Sequence, residues 1–174
     1  MLKLHRIKSI DECFFDKAWD LYETSFPIDE RRLSHAQNQL FSLPAYHFEV
    51  ILHHEQFIGF MLWWDFDHIR FIEHLATIPE VRGAGFGRSI IQQFQQEDDR
   101  LIILETELPQ DDLSRRRIHF YERLGFNVNK HYYSQPPIQP GRNPVELLLL
   151  SYPDILHKED VDAFVSKYHP IIYP

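Results

Sequence analysis

A segment with three glycines in five residues constrains this chain more than any other feature of its sequence. The three glycines are Gly83, Gly85 and Gly87. The segment that contains them runs from Val81 to Ser89, between a strand-like run and a run with helical periodicity. Glycine adopts positive φ angles and lets the backbone approach a ligand closely. The first amides of the following helix lack partners within it, and its dipole favours an anion. The segment therefore predicts a main-chain site for a phosphate or pyrophosphate, to which Arg82 can add charge-assisted hydrogen bonds.

Two common phosphate-binding motifs do not fit this segment. A Rossmann fingerprint, Gly-x-Gly-x-x-Gly, counted from Gly83 would need a glycine where the chain has Arg88. A Walker A loop has four residues between its glycines and a lysine after the second, whereas only three residues separate Gly83 from Gly87, and Arg88 follows. The pattern that fits is Arg-x-x-Gly-x-Gly, at Arg82, Gly85 and Gly87.

Length and composition predict a single domain over residues 1–174, with neither a nucleic-acid nor a membrane partner. Hydrophobic residues make up 44% of the chain, which is enough for one core. The formal net charge of −8 disfavours nonspecific binding to nucleic acid and favours a cationic partner. The N-terminus lacks a signal-peptide h-region and the apolar runs are short, so we expect a cytoplasmic protein. The single cysteine, Cys13, is expected to be a small buried hydrophobe in the first helix.

Hydrophobic periodicity and turn residues predict a mixed α/β fold on one sheet. Strands are expected at residues 2–7, 46–52, 57–64, 69–76, 101–104, 128–133 and 145–151. The first helix is expected to follow the capping-box pattern of Ser9 and Glu12. Further helices are expected over 29–40, directly after the glycines, over 113–124 and over 157–168. The resulting order is β-α-α-β-β-β-α-β-α-β-β, followed by a short final helix.

Three stretches of the sequence resemble the GNAT superfamily of N-acetyltransferases. The signature of that family, [Gln/Arg]-x-x-Gly-x-[Gly/Ala], matches the segment from Arg82 to Gly87. The run from Phe71 to Glu80 resembles the strand and turn that precede the signature. The run Phe120-Tyr121-Glu122-Arg123-Leu124-Gly125-Phe126 resembles the Phe-Tyr-x-x-x-Gly-Phe ending of the family's fourth helix. The resemblance implies the GNAT fold, a central mixed and mostly antiparallel sheet with helices on both faces.

The resemblance also implies an activity, a co-substrate and a binding site. Members of the family transfer an acetyl group from acetyl-CoA to an amine. The amides of the glycine-rich turn would hold the pyrophosphate of coenzyme A, and those of Leu75 to Thr77 the pantetheine arm. Ser114 stands where the family often has an asparagine. The cofactor-binding residues implied are Leu75, Ala76, Thr77, Arg82, Gly83, Ala84, Gly85, Phe86, Gly87, Arg88, Ser89 and Ser114. No metal is expected, since the eleven histidines show no metal-ligand spacing.

Acetyl transfer to an amine needs a base and an acid, because the ammonium must lose a proton and the departing thiolate must gain one. The resemblance implies that Tyr121 is the acid, with ordinary core packing as the alternative. Glu73, a charged residue in an apolar run, is one candidate base. Glu105 and Glu107, which end the next strand, are its rivals. In a regular strand Glu73 would share a face with Phe71 and Leu75, whereas a bulge would shift that register.

The acceptor and the partners follow less directly from the sequence. We expect a small primary amine, bound between residues 25–44 and 135–144, where the family places its substrates. The alternative is a noncatalytic acyl-CoA-binding sensor or scaffold, which would keep the glycine-rich turn without needing an acid or a base. The basic run Arg115, Arg116 and Arg117 is interpreted as a solvated helix face, with the 3′-phosphate of coenzyme A as the competing assignment. A homodimer is compatible with these observations.

Overall fold

The strands and helices occur in the order that the sequence predicts. The computed structural model describes all residues, 1–174, and they form two compact units, residues 1–100 and 101–174. The first unit contains β1 (Leu2–Ile7), α1 (Phe15–Ser25), α2 (Ser34–Leu40), β2 (Tyr46–His53), β3 (Gln56–Asp65), β4 (Ile69–Thr77) and α3 (Phe86–Gln96). The second unit contains β5 (Leu101–Glu107), α4 (Asp112–Glu122), β6 (Asn127–Gln135), β7 (Val145–Tyr152) and α5 (Lys158–Ile172). No helix has both the length and the apolar character needed to cross a lipid bilayer.

The first unit is built on four antiparallel strands in the order β1-β2-β3-β4. β3 is a nearly continuous apolar run and is buried on both faces. Two adjacent tryptophans of β3, Trp63 and Trp64, lie on opposite faces of the sheet, and both are buried. Trp63 contacts Phe94 of α3, with 5.0 Å between the ring centroids. Trp64 lies on the other face and contacts Tyr46, at 4.9 Å. On that face Tyr22 of α1 contacts Phe60 of β3, at 6.1 Å, so helices cover β3 from both sides.

The second unit is built on three antiparallel strands in which β7 lies between β5 and β6. Glu105 of β5 is paired with Leu149 of β7. The pairing of β6 with β7 is interrupted after Asn129 and resumes at Tyr133, so residues 130–132 form an irregular bulge. The ring of Tyr133 contacts Phe164 of α5 at 6.4 Å. Through this contact α5, which follows the last strand, packs against β6.

The helix expected over residues 29–40 is wrong as a single element. A short 3₁₀ turn covers Ile28–Glu30, and α2 begins only at Ser34. The residues between them are extended because Arg32 is held by long-range contacts. Its backbone amide donates to the hydroxyl of Tyr22 at 2.8 Å, and its side chain is paired with Glu73. A pair of tertiary contacts thus overrides the local helical preference.

The expected start of the first helix is also wrong. Glu12 accepts a hydrogen bond from the Lys8 amide at 2.8 Å and closes a turn, so it does not begin the helix. The chain then passes through Phe14, whose φ of 73° is left-handed, and α1 begins at Phe15. Cys13 lies in this turn and is exposed, so its expected burial in a helix is wrong. The mixed α/β class and the element order are confirmed, and the remaining bounds differ by a few residues. A single domain over the whole chain stays a prediction.

Candidate active site

The glycine turn, residues 82–89, leads from β4 into α3 and is open to solvent. Gly83 and Gly85 have φ values of 81° and 86°, a left-handed conformation that other residues rarely adopt. A Cβ atom added at either glycine would meet no atom within 4 Å. Gly85 is the N-cap of α3 and has no side chain to cap the helix. The turn therefore keeps the helix start uncovered.

The first amides of α3 are arranged as an anion-binding group. The amide of Ser89 donates to the carbonyl of Gly85 at 3.1 Å, so the helical ladder begins there. The amides of Phe86, Gly87 and Arg88 precede that bond and have no partner inside the helix. These amides lie at the positive end of the helix dipole, which favours a negatively charged group. Arg82 adds a cation nearby, because its Nε donates to the Thr77 carbonyl at 3.2 Å.

The end of β4 presents main-chain groups next to this turn. Residues 75–77 are half-buried, whereas residues 70–74 of the same strand are buried. The amide of Ile78 donates to the Ile58 carbonyl of β3 at 2.9 Å. Since antiparallel pairing alternates along a strand, Ala76 pairs with β3 while the amides of Leu75 and Thr77 face away from it. These two amides have the orientation needed to bind an extended ligand.

A bulge in β4 places two polar neighbours on one face. The pairing steps from His74 opposite Leu62 to Ile72 opposite Trp63, so Glu73 is the extra residue. The side chains of Glu73 and His74 both point to the face covered by α1. Glu73 accepts from Nε1 of Trp64 at 2.9 Å, and the His74 ring lies 5.0 Å from that of Tyr22. Glu73 therefore shares the face of Phe71, which is opposite Trp64, whereas the bulge moves Leu75, opposite Met61, to the other face.

Glu73 forms a fully buried ion pair. One carboxylate oxygen is bound by the guanidinium of Arg32 and the other by Trp64. The side chain of Glu73 is 0% exposed and that of Arg32 4% exposed, so an incoming amine would have to displace a protein contact to reach the carboxylate. Glu73 as the base stays a prediction, and its contacts suit a positioning role better.

Tyr121 lies in α4 of the second unit and is buried, 7% exposed. Its ring contacts that of Phe126 at 5.6 Å, and its hydroxyl makes no hydrogen bond within the protein. Burial raises the pKa of Tyr121 to about 12, so the phenol keeps its proton over the physiological range. A protonated hydroxyl without a protein partner is able to donate to a ligand.

Glu105 lies at the centre of a hydrogen-bonded group in the second unit. Its Oε1 accepts from the hydroxyl of Tyr133 and from that of Tyr173, the latter at 3.0 Å. The hydroxyl of Tyr133 is also 2.9 Å from Nε2 of His169. The sequence predicts Glu105 as a candidate but misses Tyr133, His169 and Tyr173, the other members of this group. They lie 28 to 68 residues from the groups they contact, so no local pattern could reveal them.

Comparison with known proteins places these features in a family. A family model for the acetyltransferase (GNAT) domain matches residues 44–128, which include the glycine turn and Tyr121. A solved structure from Bacteroides thetaiotaomicron, assigned to the GNAT family of acetyltransferases, is 29% identical over 98% of each chain, with a TM-score of 0.90. Residues 44–128 thus match the GNAT acetyltransferase domain, and the whole chain has the fold of a GNAT-family structure. The resemblance seen in the sequence and the expected GNAT fold are therefore confirmed.

More distant GNAT structures share the fold. The ribosomal-protein-S18-alanine N-acetyltransferase of Escherichia coli is 16% identical, with a TM-score of 0.58 over 92% of this chain and 98% of that one. An aminoglycoside 6′-N-acetyltransferase complexed with coenzyme A is 15% identical, with a TM-score of 0.60 over 86% of this chain and 95% of that one. No protein of curated function matches the sequence significantly.

His74, next to Glu73 in β4, is a buried polar residue that the sequence analysis did not single out. Its Nε2 lies 3.0 Å from the Glu30 carbonyl, which only accepts, so Nε2 carries the proton. Its Nδ1 is buried without a hydrogen-bond partner. Burial lowers the pKa of His74 to about 4, which keeps the imidazole neutral. In the sequence, the one sign of this buried polar residue is its position beside Glu73 in an otherwise apolar strand.

The fourth helix, α4, begins with a capping box in which Asp111 is the N-cap and Ser114 its partner. The Ser114 amide donates to Oδ1 of Asp111 at 2.7 Å and its hydroxyl donates to the same atom at 2.9 Å. Arg115 is paired with Asp112 at 2.7 Å, and Arg117 is paired with Glu107. The charges of both arginines are therefore balanced within the unit. Contact of Ser114 with a cofactor stays a prediction. No group of three or more His, Cys, Asp or Glu side chains could hold a metal ion.

The buried pair of Arg32 and Glu73 generates a testable prediction. Arg32→Met removes the cation from beside Glu73, and Glu73→Leu removes the carboxylate from beside Arg32. We expect each change to lower the free energy of unfolding by about 3–5 kcal/mol, because a buried charge loses its partner. The double variant should lose much less than the sum of the two. Urea denaturation of the four proteins measures this coupling, and additive losses would contradict it.

Proposed function

We propose that this GNAT protein transfers an acetyl group from acetyl-CoA to a primary amine, by direct attack of the amine on the thioester. The observation that carries the proposal is the glycine turn, which presents the uncapped amides of α3 to solvent directly after β4. The match to the GNAT acetyltransferase domain supports acetyl transfer. Coenzyme A is the ligand of the aminoglycoside 6′-N-acetyltransferase that shares the fold.

The main chain would supply most of the cofactor contacts. The amides of Phe86, Gly87 and Arg88 would bind the pyrophosphate, because they have no partner in the helix and lie at its positive end. The amides of Leu75 and Thr77, which face away from β3, would pair with the pantetheine arm. Coenzyme A has amide groups along this arm, so it can bind in the manner of an added strand.

Tyr121 would act as the acid. Since the ordinary pKa of a thiol is about 8.5, a phenol with a pKa of about 12 does not give up its proton to a resting thiolate. It can donate a hydrogen bond to the sulfur as negative charge develops there, which stabilises the departing thiolate as the carbon–sulfur bond breaks. The hydroxyl is available for this because it makes no hydrogen bond within the protein.

The acceptor would be a small amine. The net charge of −8 attracts a cationic ammonium group and raises its local concentration. The other candidate function, a noncatalytic acyl-CoA sensor, would use the same glycine turn. It is less favoured because a buried tyrosine that keeps its proton and has no partner is typical of an acid and is not needed for binding alone.

A matched pair of glycine variants tests the cofactor site. Gly85 and Gly141 both have positive φ, 86° and 83°, and an added Cβ atom would meet nothing at either position. Alanine should therefore strain both turns to a similar extent, about 1 kcal/mol. We expect Gly85→Ala to weaken the binding of coenzyme A by about tenfold or more in calorimetry. Gly141→Ala should bind as the wild type does, and equal binding by both variants would contradict the assignment.

Turnover separates an enzyme from a sensor. We expect release of free thiol from acetyl-CoA in the presence of 2-phenylethylamine, spermidine or alanine amide. Tyr121→Phe should lower kcat by about 100-fold, because the acid is lost, and leave binding of acetyl-CoA unchanged. Tyr152→Phe is the control, since Tyr152 also contacts the Phe126 ring, at 5.6 Å. Binding without thiol release by any amine would favour the sensor, and full activity of Tyr121→Phe would contradict the acid role.

A further inference from the structure

His74 has a buried ring nitrogen that no group of the protein binds. Its Nε2 is 3.0 Å from the Glu30 carbonyl, whereas its Nδ1 has no hydrogen-bond partner. Only 3% of His74 is exposed. Since a carbonyl can only accept, Nε2 carries the proton of the neutral ring and Nδ1 keeps its lone pair. His74 therefore presents one unused hydrogen-bond acceptor inside the first unit.

The segment that covers His74 has further polar atoms without a partner. The Phe26 ring lies edge-on to the imidazole, at 4.4 Å, and is half-exposed. Oγ of Ser25, which precedes Phe26, and Nε of Arg31, which follows Glu30, are both buried without a hydrogen bond. Buried polar atoms in proteins nearly always have a partner, which can be a water molecule or a ligand. This part of the first unit is therefore suited to bind a polar ligand.

The two faces of β4 differ directly beyond the buried part of the strand. The bulge sets His74 on the face covered by α1 and Leu75 on the opposite face. Ala76, opposite Phe60, is the next residue on the face of His74, and it is only half-buried. A ligand that enters on this face from the open end of the strand therefore reaches His74 as the first polar side chain. On the other face it reaches Leu75, which cannot form a hydrogen bond through its side chain.

The proposed cofactor site would bring the thioester to the same level of β4. The pyrophosphate would bind at the start of α3, and the pantetheine arm would pair first with Thr77 and then with Leu75. The arm would thus run back along the strand, away from the glycine turn. Successive residues of a strand are about 3.3 Å apart, so the sulfur end that follows the contact with Leu75 would lie next to His74.

We propose that Nδ1 of His74 accepts a hydrogen bond from the substrate amine and holds its nitrogen next to the thioester carbon. This inference rests on the proposed function and adds a substrate-binding residue to it. Donation of one N–H bond leaves the lone pair of the amine nitrogen free to attack the carbon. The Glu30 carbonyl, by binding Nε2, would fix the tautomer in which Nδ1 can accept.

This role of His74 differs from that of a base. Burial lowers the pKa of His74 to about 4, whereas a model lysine ammonium has a pKa of about 10.4. The imidazole is therefore far too weak a base to take the proton of the ammonium. The same low pKa keeps Nδ1 unprotonated at every pH at which some of the amine is present as the free base.

Two substitutions separate the two ring nitrogens. The amide nitrogen of glutamine can replace Nε2 as donor to the Glu30 carbonyl but leaves no acceptor at Nδ1, and the amide oxygen of asparagine does the reverse. His74→Gln should lower kcat/KM for the amine by about tenfold, as for one lost hydrogen bond, and leave the KM for acetyl-CoA unchanged. His74→Asn should lose less activity but be less stable to urea. His68→Gln is the control, because His68 is exposed between β3 and β4.

The ¹⁵N chemical shifts of the histidine rings test the contact without turnover. Coenzyme A has no acyl group, so the protein saturated with it can bind an amine but cannot acetylate it. The Nδ1 resonance of His74 should move in a saturable manner as an amine that supports thiol release is added, because its lone pair gains a hydrogen bond. Nε2 should stay protonated, and the His68 resonances should not respond.

The outcomes distinguish this inference from the proposed function. Release of thiol together with an unmoved Nδ1 resonance, or with full activity of His74→Gln, would overturn the role of His74 and leave acetyl transfer standing. A greater loss of activity in His74→Asn than in His74→Gln, or a proton on Nδ1 in the free protein, would also overturn it. If the wild type releases no thiol with any of the three amines, the proposed function fails and this inference with it. Should the variants not fold, the resonances of the wild type decide.

Discussion

The ion pair between Arg32 and Glu73 determines much of the first unit. It is buried at both ends, so neither partner can leave without exposing the other charge to an apolar core. The pair holds the extended residues between the 3₁₀ turn and α2 against β4, and it accounts for the bulge residue of that strand. As a result His74 follows Glu73 onto the same face, under the rings of Tyr22 and Phe26. A charged contact thereby fixes the strand that ends at the glycine turn.

The proposed chemistry depends on two kinds of group. Binding of the cofactor depends on the main chain, whose donors are set by backbone geometry at the end of β4 and the start of α3. Side chains have little part in it, so the positive-φ glycines are the main requirement. In the proposed reaction, stabilisation of the leaving thiolate would depend on a side chain of the second unit, that of Tyr121. Tyr121 and Glu105 differ there, since one hydroxyl makes no protein hydrogen bond and one carboxylate accepts several.

Sequence reasoning succeeded where the signal is local. The glycine turn was predicted correctly, because positive φ and an uncapped helix start are properties of adjacent residues. The order of elements was predicted from periodicity for the same reason. The bulge at Glu73 was left open, because strand register depends on the partner strand. The split of the second helix was missed, because Arg32 contacts residues ten and 41 positions away.

The remaining errors also have a physical cause. Glu12 has the spacing of a capping box, but its side chain bonds to the Lys8 amide, so the helix starts later and Cys13 stays exposed. His169 and Tyr173 lie after the segment that carries the GNAT motifs, and only the packing of α5 on β6 brings them to Glu105. Such contacts leave no periodic pattern in a sequence. They become visible only with the tertiary structure.

The central claim is that main-chain amides at the start of α3 bind the pyrophosphate of coenzyme A. Titration of the ¹⁵N-labelled protein with coenzyme A, followed by amide chemical shifts, tests it most directly. The account predicts saturable shifts of the amides of Phe86, Gly87 and Arg88, with the smaller changes at Leu75 and Thr77 following the same binding curve. Binding of coenzyme A that leaves the three helix amides unmoved would contradict it.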